Sequence, residues 1–206
     1  MPRETLDRQI SHLKDEVILL GSMVEQAMLN AVEALKHRDA ASARQIYDAD
    51  LLINDKRFAI ENAILILIAT QQPLAKDLRM LAAMLEVITE LERMGDYAKG
   101  VAKSTLKLGD AVLPLPIREI SQMAELSVDM LHRALIAFIN ENSNEAMLIP
   151  LEDKKVDQLY NQVYRSVVCS MIANPDIIDQ ANLMFWVSHN LERMADRVTN
   201  ICERTV

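Results

Sequence analysis

Leu91-Glu92-Arg93-Met94-Gly95-Asp96 returns 100 residues later as Leu191-Glu192-Arg193-Met194-Ala195-Asp196, with one difference among six positions. Working back from this pair, Asp50-x-x-Ile53-Asn54 falls on Asp153-x-x-Val156-Asp157, and Ala31 on Ala134, at an offset of 103. A short gap at the Pro73 and Pro175 turns accounts for the change in offset. The chain is therefore a duplication of one unit of about 100 residues, too long for a solenoid repeat.

Apolar spacing within each unit is helical. Ile10, Leu13, Val17, Leu20, Val24, Ala27, Ala31 and Ala34 step by three and four, the seam of a helix packed in a bundle. This helix is expected to end at Arg38-Asp39. A second is expected over about 40–70, with Ile46, Ile53, Ile60, Ile64 and Leu67 inward, and a third over about 74–108, ended by Gly109. The second unit repeats the pattern at about 117–140, 144–173 and 176–204, with Pro150 expected to kink or break the fifth helix. Three long helices joined by short turns pack as antiparallel neighbours. The expected fold is all-α: two tandem three-helix bundles, 1–109 and 117–206, joined by a linker at 110–116.

Glycine (4) and proline (6) are scarce among the 206 residues, which disfavours folds of many short strands and tight turns. No G-x-G-x-x-G or P-loop motif occurs. The net charge is -8 and the basic residues are dispersed, so groove binding to nucleic acid is not expected. The first ten residues carry Arg3, Glu4, Asp7 and Arg8, unlike a signal-peptide core. The longest strongly apolar run, Ala63 to Ala69, is far short of the ~20 residues that cross a bilayer, so no direct membrane insertion is expected. Cys169 and Cys202 read as two reduced, packed thiols of a cytosolic protein.

The repeated element also carries the candidate chemistry. Glu92 and Asp96, four apart, project from one face of the third helix, where like charges repel. Measured from the turn near residue 72, Asp50 and Asn54 lie about as far back as Glu92 and Asp96 lie forward, which at ~1.5 Å per residue sets both pairs at one height. Asp153 and Asp157 stand level with Glu192 and Asp196 in the same way about the turn near residue 174. Each bundle can thus converge four oxygen-bearing side chains, a donor set for Mg²⁺, Mn²⁺, Ca²⁺ or iron, with bridging where carboxylates crowd.

The remaining features read as structure. Arg93 and Arg193 are expected to be salt-bridge partners, and Glu125 with Asp129 a solvated face not repeated in the first unit. His12, His37, His132 and His189 share no motif, and none follows a glutamate at the Glu-x-x-His spacing of ferritin-like di-iron enzymes. The twelve methionines sit at core spacing, and Trp186 beside Phe185 reads as core or an interface anchor.

The L-E-R-M-[GA]-D element, together with Gly21-Ser-Met-Val-Glu-Gln26, Gln72-Pro73 before Asp77-Leu78-Arg79, Glu152-Asp153-Lys154-Lys155-Val156-Asp157 and the tail Asp196-Arg197 with Asn200-Ile201-Cys202-Glu203, resembles the PhoU family of phosphate-uptake regulators over essentially the whole chain. The resemblance implies a cytoplasmic, often dimeric protein of two three-helix bundles, recruited to the inner face of the membrane by its partners. It implies metal clusters, divalent or trivalent (Fe, Zn, Mn or Mg), on surface E/D-x-x-x-D pairs. It further implies a non-enzymatic adaptor that restrains the phosphate-starvation response by joining the ATPase subunit of a phosphate ABC transporter to a membrane sensor histidine kinase. By position, Asp50, Glu92, Asp96, Asp153, Asp157, Glu192 and Asp196 match the family's acidic positions; Asn54 is an amide where the second unit has an acid, so weaker metal binding is expected in the first. Two other readings are weighed beside it: an accessory of a different phosphate or ion transporter, and a carboxylate-bridged metalloenzyme. Against the enzyme stand the lack of histidine ligands, of a nucleophile–base pair and of pocket-forming loops.

Overall fold

The computed structural model describes residues 2–109 and 116–206, so most of the expected linker, 110–115, lies outside the described residues. Helix α1 spans Pro2–His37, α2 Ala40–Gln71 and α3 Ala75–Leu108. In the second unit α4 spans Ile117–Ile139. The fifth expected helix is broken, as Pro150 requires: α5 covers Ser143–Leu148, a 3₁₀ turn Ile149–Glu152, and α6 Asp153–Ala173. A second 3₁₀ turn, Pro175–Ile177, leads into α7, Ile178–Thr205.

The reversals after α1, α2 and α4 need no glycine because Arg38, Gln72 with Ala75, and Glu141 take positive φ, whereas Asn174 after α6 is extended (φ -143°). Arg38 (φ 54°) ends α1, and Asp39 N then donates to Ala34 O at 2.8 Å. Glu141 (φ 54°) ends α4 in the same way, with Asn142 N donating to Ala137 O at 2.8 Å. These are the capping bonds that satisfy a helix's last carbonyls. The next residue caps the following helix in both units: Asp39 accepts from Ala41 N and Ser42 N, and Asn142 accepts from Glu145 N. The duplication thus extends to the turns, although the residues there differ.

Helices α1, α2 and α3 pack on one another, as do α4, α6 and α7, and the two triads meet along α1 with α4 and α3 with α7. Among the described residues α2 packs only on α1 and α3, so α2 and α6 flank a central four-helix layer on its two sides. The core is one continuous apolar cluster through both triads. Val17, Leu20, Val24, Met28 and Ala31 of α1, with Leu91, Met94, Leu191 and Met194, are wholly buried. Each large side chain so buried contributes about 1.5–3 kcal/mol. Ala27 and Ile46, expected inward, are only partly buried. By length and composition Glu4–His37 of α1 is apolar enough to cross a membrane, a test that buried core helices also pass. Here its apolar seam is the centre of the core.

One further expectation needs correcting, and one is narrowed. Cys202 is buried, but Cys169 is exposed on α6 rather than packed. Of the two readings of Trp186, its 56 % exposure excludes core and keeps the interface anchor, whereas its neighbour Phe185 lies against the core and stacks tilted on Tyr164, ring centroids 5.2 Å apart.

Candidate metal centre

The seam between α2 and α3 brings Asp50 and Asn54 level with Glu92 and Asp96, and the seam between α6 and α7 does the same for Asp153, Asp157, Glu192 and Asp196. The convergence shows in the electrostatics. Burial pushes the Glu92 carboxyl above its ordinary range; Asp96 and Asp50 push the same way, and Arg57 opposes. Asp96 is raised by burial and then by Asp50, with Lys99 opposing. In the second unit Asp153 is pushed up to about 6, by burial first and then by Asp157, Asp196 and Glu192. Glu192 is raised by burial and by Asp196, with His189 and Arg193 opposing. Like charges held together disfavour ionisation in this way, and a bound cation relieves it.

The acids interact without forming a closed cage. Among the described residues no three His, Cys, Asp or Glu side chains stand together as a ready-made ion site. The four acids of the second unit feel one another through the field, but their oxygens do not share one coordination point. Glu192 nevertheless keeps a buried Oε2 without a hydrogen-bond partner. Four hard carboxylates with an open oxygen fit a hard cation.

The first cluster differs in a way that its acidic residues alone do not reveal. Asp50 is not on the surface, as a surface metal pair would be: it is only 3 % exposed. Its Oδ2 accepts from Lys99 Nζ at 2.7 Å and from Asn54 Nδ2 at 3.1 Å, while Oδ1 is buried with no partner. The bond to Asp50 raises the Lys99 ammonium above its ordinary value. Lys99 escaped the sequence reading, though its spacing marks it: three residues after Asp96 and seven after Glu92, it shares their helix face.

The bystanders behave largely as expected. Arg93 pairs with Glu90 at 3.2 Å, and Arg193 lies 3.5 Å from Asp196. Asp129 is exposed and accepts from Arg133 at 3.2 Å. His189 Nδ1 approaches Glu192 Oε2 at 3.5 Å, the one histidine beside either cluster among the described ion pairs.

Comparison with known proteins agrees with this architecture. The PhoU domain model matches twice, at residues 17–105 and 120–205. A phosphate-specific transport system accessory protein PhoU from Edwardsiella tarda is 34 % identical over 196 residues, covering 95 % of this chain and 80 % of that protein. A PhoU homolog from Clostridium acetobutylicum is 32 % identical over 207 residues, covering 100 % and 94 %. Two crystal structures superpose with a TM-score of 0.90: PhoU from Pseudomonas aeruginosa, 28 % identical over 97 % of this chain and 96 % of that one, and the phosphate transport system regulatory protein PhoU from Streptococcus pneumoniae, 31 % identical over 98 % and 95 %. With two domain matches, full-length relatives and the same all-helical duplicated fold, this chain belongs to the PhoU family.

Proposed function

We propose that this chain is a regulatory accessory of a phosphate transport system, an adaptor rather than a catalyst, whose second carboxylate cluster binds a metal ion. The relatives named above are phosphate transport accessory and regulatory proteins, and the likeness runs the length of the chain. In this reading the protein works in the cytoplasm, as a homodimer, between the transporter's ATPase subunit and a membrane sensor kinase, and restrains the phosphate-starvation response. The two units, 1–109 and 117–206, act as halves joined by the 110–116 linker.

The observation that carries the metal reading is Asp153, forced up to about 6 by burial and three neighbouring acids. Among the described residues no lysine, arginine or histidine forms an ion pair with Asp153 or Asp157; the cations beside the cluster, His189 and Arg193, lie 3.5 Å from Glu192 and Asp196 instead. Asp153, Asp157, Glu192 and Asp196 would hold the ion, and carboxylate oxygens favour Mg²⁺, Mn²⁺ or iron over softer metals. A bound ion would supply positive charge that ties α6 to α7 and alters the face offered to partners. Docking also has apolar surface to use: Leu51, Leu52, Phe58, Leu65 and Ile66 of α2 are each at least half exposed.

Three measurements test the proposal. A pull-down from membranes at high phosphate should bring the transporter ATPase and the kinase with the tagged chain. Deletion of the gene should release phosphate-starvation transcription at high phosphate; unchanged transcription and uptake would refute the adaptor role. Elemental analysis should find metal in the wild type and little in Asp153→Asn/Glu192→Gln.

A further inference from the structure

We propose that Lys99 is the resident cation of the first carboxylate cluster, so that this chain takes its metal ion in the second unit alone. The inference rests on the metal reading above but concerns how the two halves have diverged. The buried Asp50 carboxylate needs a compensating positive charge. Lys99 Nζ supplies it at 2.7 Å, and Asn54 Nδ2 fills a second lone pair of the same oxygen at 3.1 Å. A metal ion drawn to Asp50, Glu92 and Asp96 would have to expel this ammonium or sit beside it against like-charge repulsion. Asp50 Oδ1 is buried and unpartnered, so one ammonium leaves part of this carboxylate unsatisfied. Removing the lysine should therefore restore a metal site.

The second unit shows the counterpart. Thr199 stands where the first unit has Lys99, and its hydroxyl donates to Asp196 O at 2.7 Å rather than to a carboxylate. Asp157 replaces Asn54, and Tyr160 replaces Arg57. Three positions thus change together, each raising the negative charge of the second cluster relative to the first. The first cluster holds three carboxylates and a lysine, the second four carboxylates.

The test titrates the full chain, freed of metal by chelator, with Mn²⁺ while following bound Mn²⁺ and the unfolding midpoint. The wild type is expected to lose its bound Mn²⁺ in Asp153→Asn/Glu192→Gln and to keep it in Glu92→Gln. Lys99→Thr is expected to gain a Mn²⁺ site, with a midpoint rise on the order of 5 °C at a hundredfold excess over its dissociation constant. The gain should vanish in Lys99→Thr/Glu92→Gln. No gain in Lys99→Thr, or loss of wild-type Mn²⁺ in Glu92→Gln, overturns the inference. Should Lys99→Thr fail to fold, Thr199→Lys reads the same exchange in reverse: at least a tenfold weaker second site supports it, and unchanged affinity overturns it. If the wild type binds no Mn²⁺ anywhere, the metal reading of the second cluster falls and the placement of metal in the second unit with it, while a site gained in Lys99→Thr still assigns Lys99 as the cation of the first cluster.

Discussion

Tyr97 and Arg197 occupy the same position in the two copies of the repeated helix, and they meet: Arg197 Nε donates to Tyr97 OH at 3.2 Å across the seam between α3 and α7. The duplicated helices therefore cross at equivalent points, as an internal two-fold would place them. Around that crossing the copies have diverged. Glu90 accepts from Asn200 Nδ2 at 3.2 Å and from Arg197 Nη1 at 3.4 Å. The mirrored position pairs Asn190 with Gly100, where an added Cβ would come within 2.7 Å of Asn190 Nδ2. One side of the crossing is held by charge, the other by close approach.

Replacing Glu90 by Ala should weaken the joint between the two units. It strips the half-buried Arg197 and Asn200 of their shared acceptor, a loss of about 1–3 kcal/mol. Urea unfolding would measure it, and Glu90→Gln, which keeps an acceptor for Asn200, should cost less. Equal costs would show that the hydrogen bonds are incidental.

Gly21 sets the other inter-unit contact, α1 against α4. A Cβ there would overlap Cδ1 of the buried Leu135, so that side chain must shift. Gly21→Ala is expected to destabilise by about 1–3 kcal/mol, despite alanine's better helix propensity. A Gly21→Ala protein as stable as the wild type would mean that Leu135 repacks freely.

The acidic clusters predict an unusual response to pH in the metal-free protein. Asp153 binds its proton more tightly folded, at about 6, than at its ordinary 3.8, so its contribution to stability is present below 3.8 and lost as pH rises through 6. Glu92, Asp96 and Glu192 are raised and act in the same direction. The unfolding midpoint should therefore rise as pH falls from 7 to 5, and Asp153→Asn should flatten that slope. At lower pH the trend reverses, because Glu141 and Glu152, depressed mainly by Lys76 and Arg133, lose their partners on protonation. A midpoint that falls steadily from pH 7 to 5 would contradict the strain assigned to the cluster.

Arg133 holds the broken fifth helix to α4. Its guanidinium reaches Glu152 at 2.7 Å, Glu145 at 3.0 Å and Asp129 at 3.2 Å, bracketing the Pro150 turn. Arg133→Met should cost about 1–3 kcal/mol and speed amide exchange selectively over 143–152. Uniform exchange across α4 to α6 would show that the proline turn needs no such brace.

How much of this was readable in advance follows from the range of each interaction. The end of α1 at Arg38-Asp39, the break at Pro150 and the shared height of the acid pairs depend on local backbone rules and on a constant rise per residue. The exposure of Cys169 and Trp186 does not, because each depends on where α6 and α7 leave their outer faces uncovered.

The sequence by itself determined that the chain is a duplicated, all-helical protein with two level sets of oxygen donors, since periodicity, punctuation and repetition are written along one dimension. Only the tertiary structure decided that the two sets are unlike. Whether Lys99 meets Asp50, 49 residues away, depends on how α3 is rotated about its own axis against α2, and that rotation is set by how buried side chains such as Ile53, Leu91 and Met94 fit together. The same fit leaves Asp153 among three acids with no ion pair to a cation among the described residues, so two copies of one motif differ in local charge.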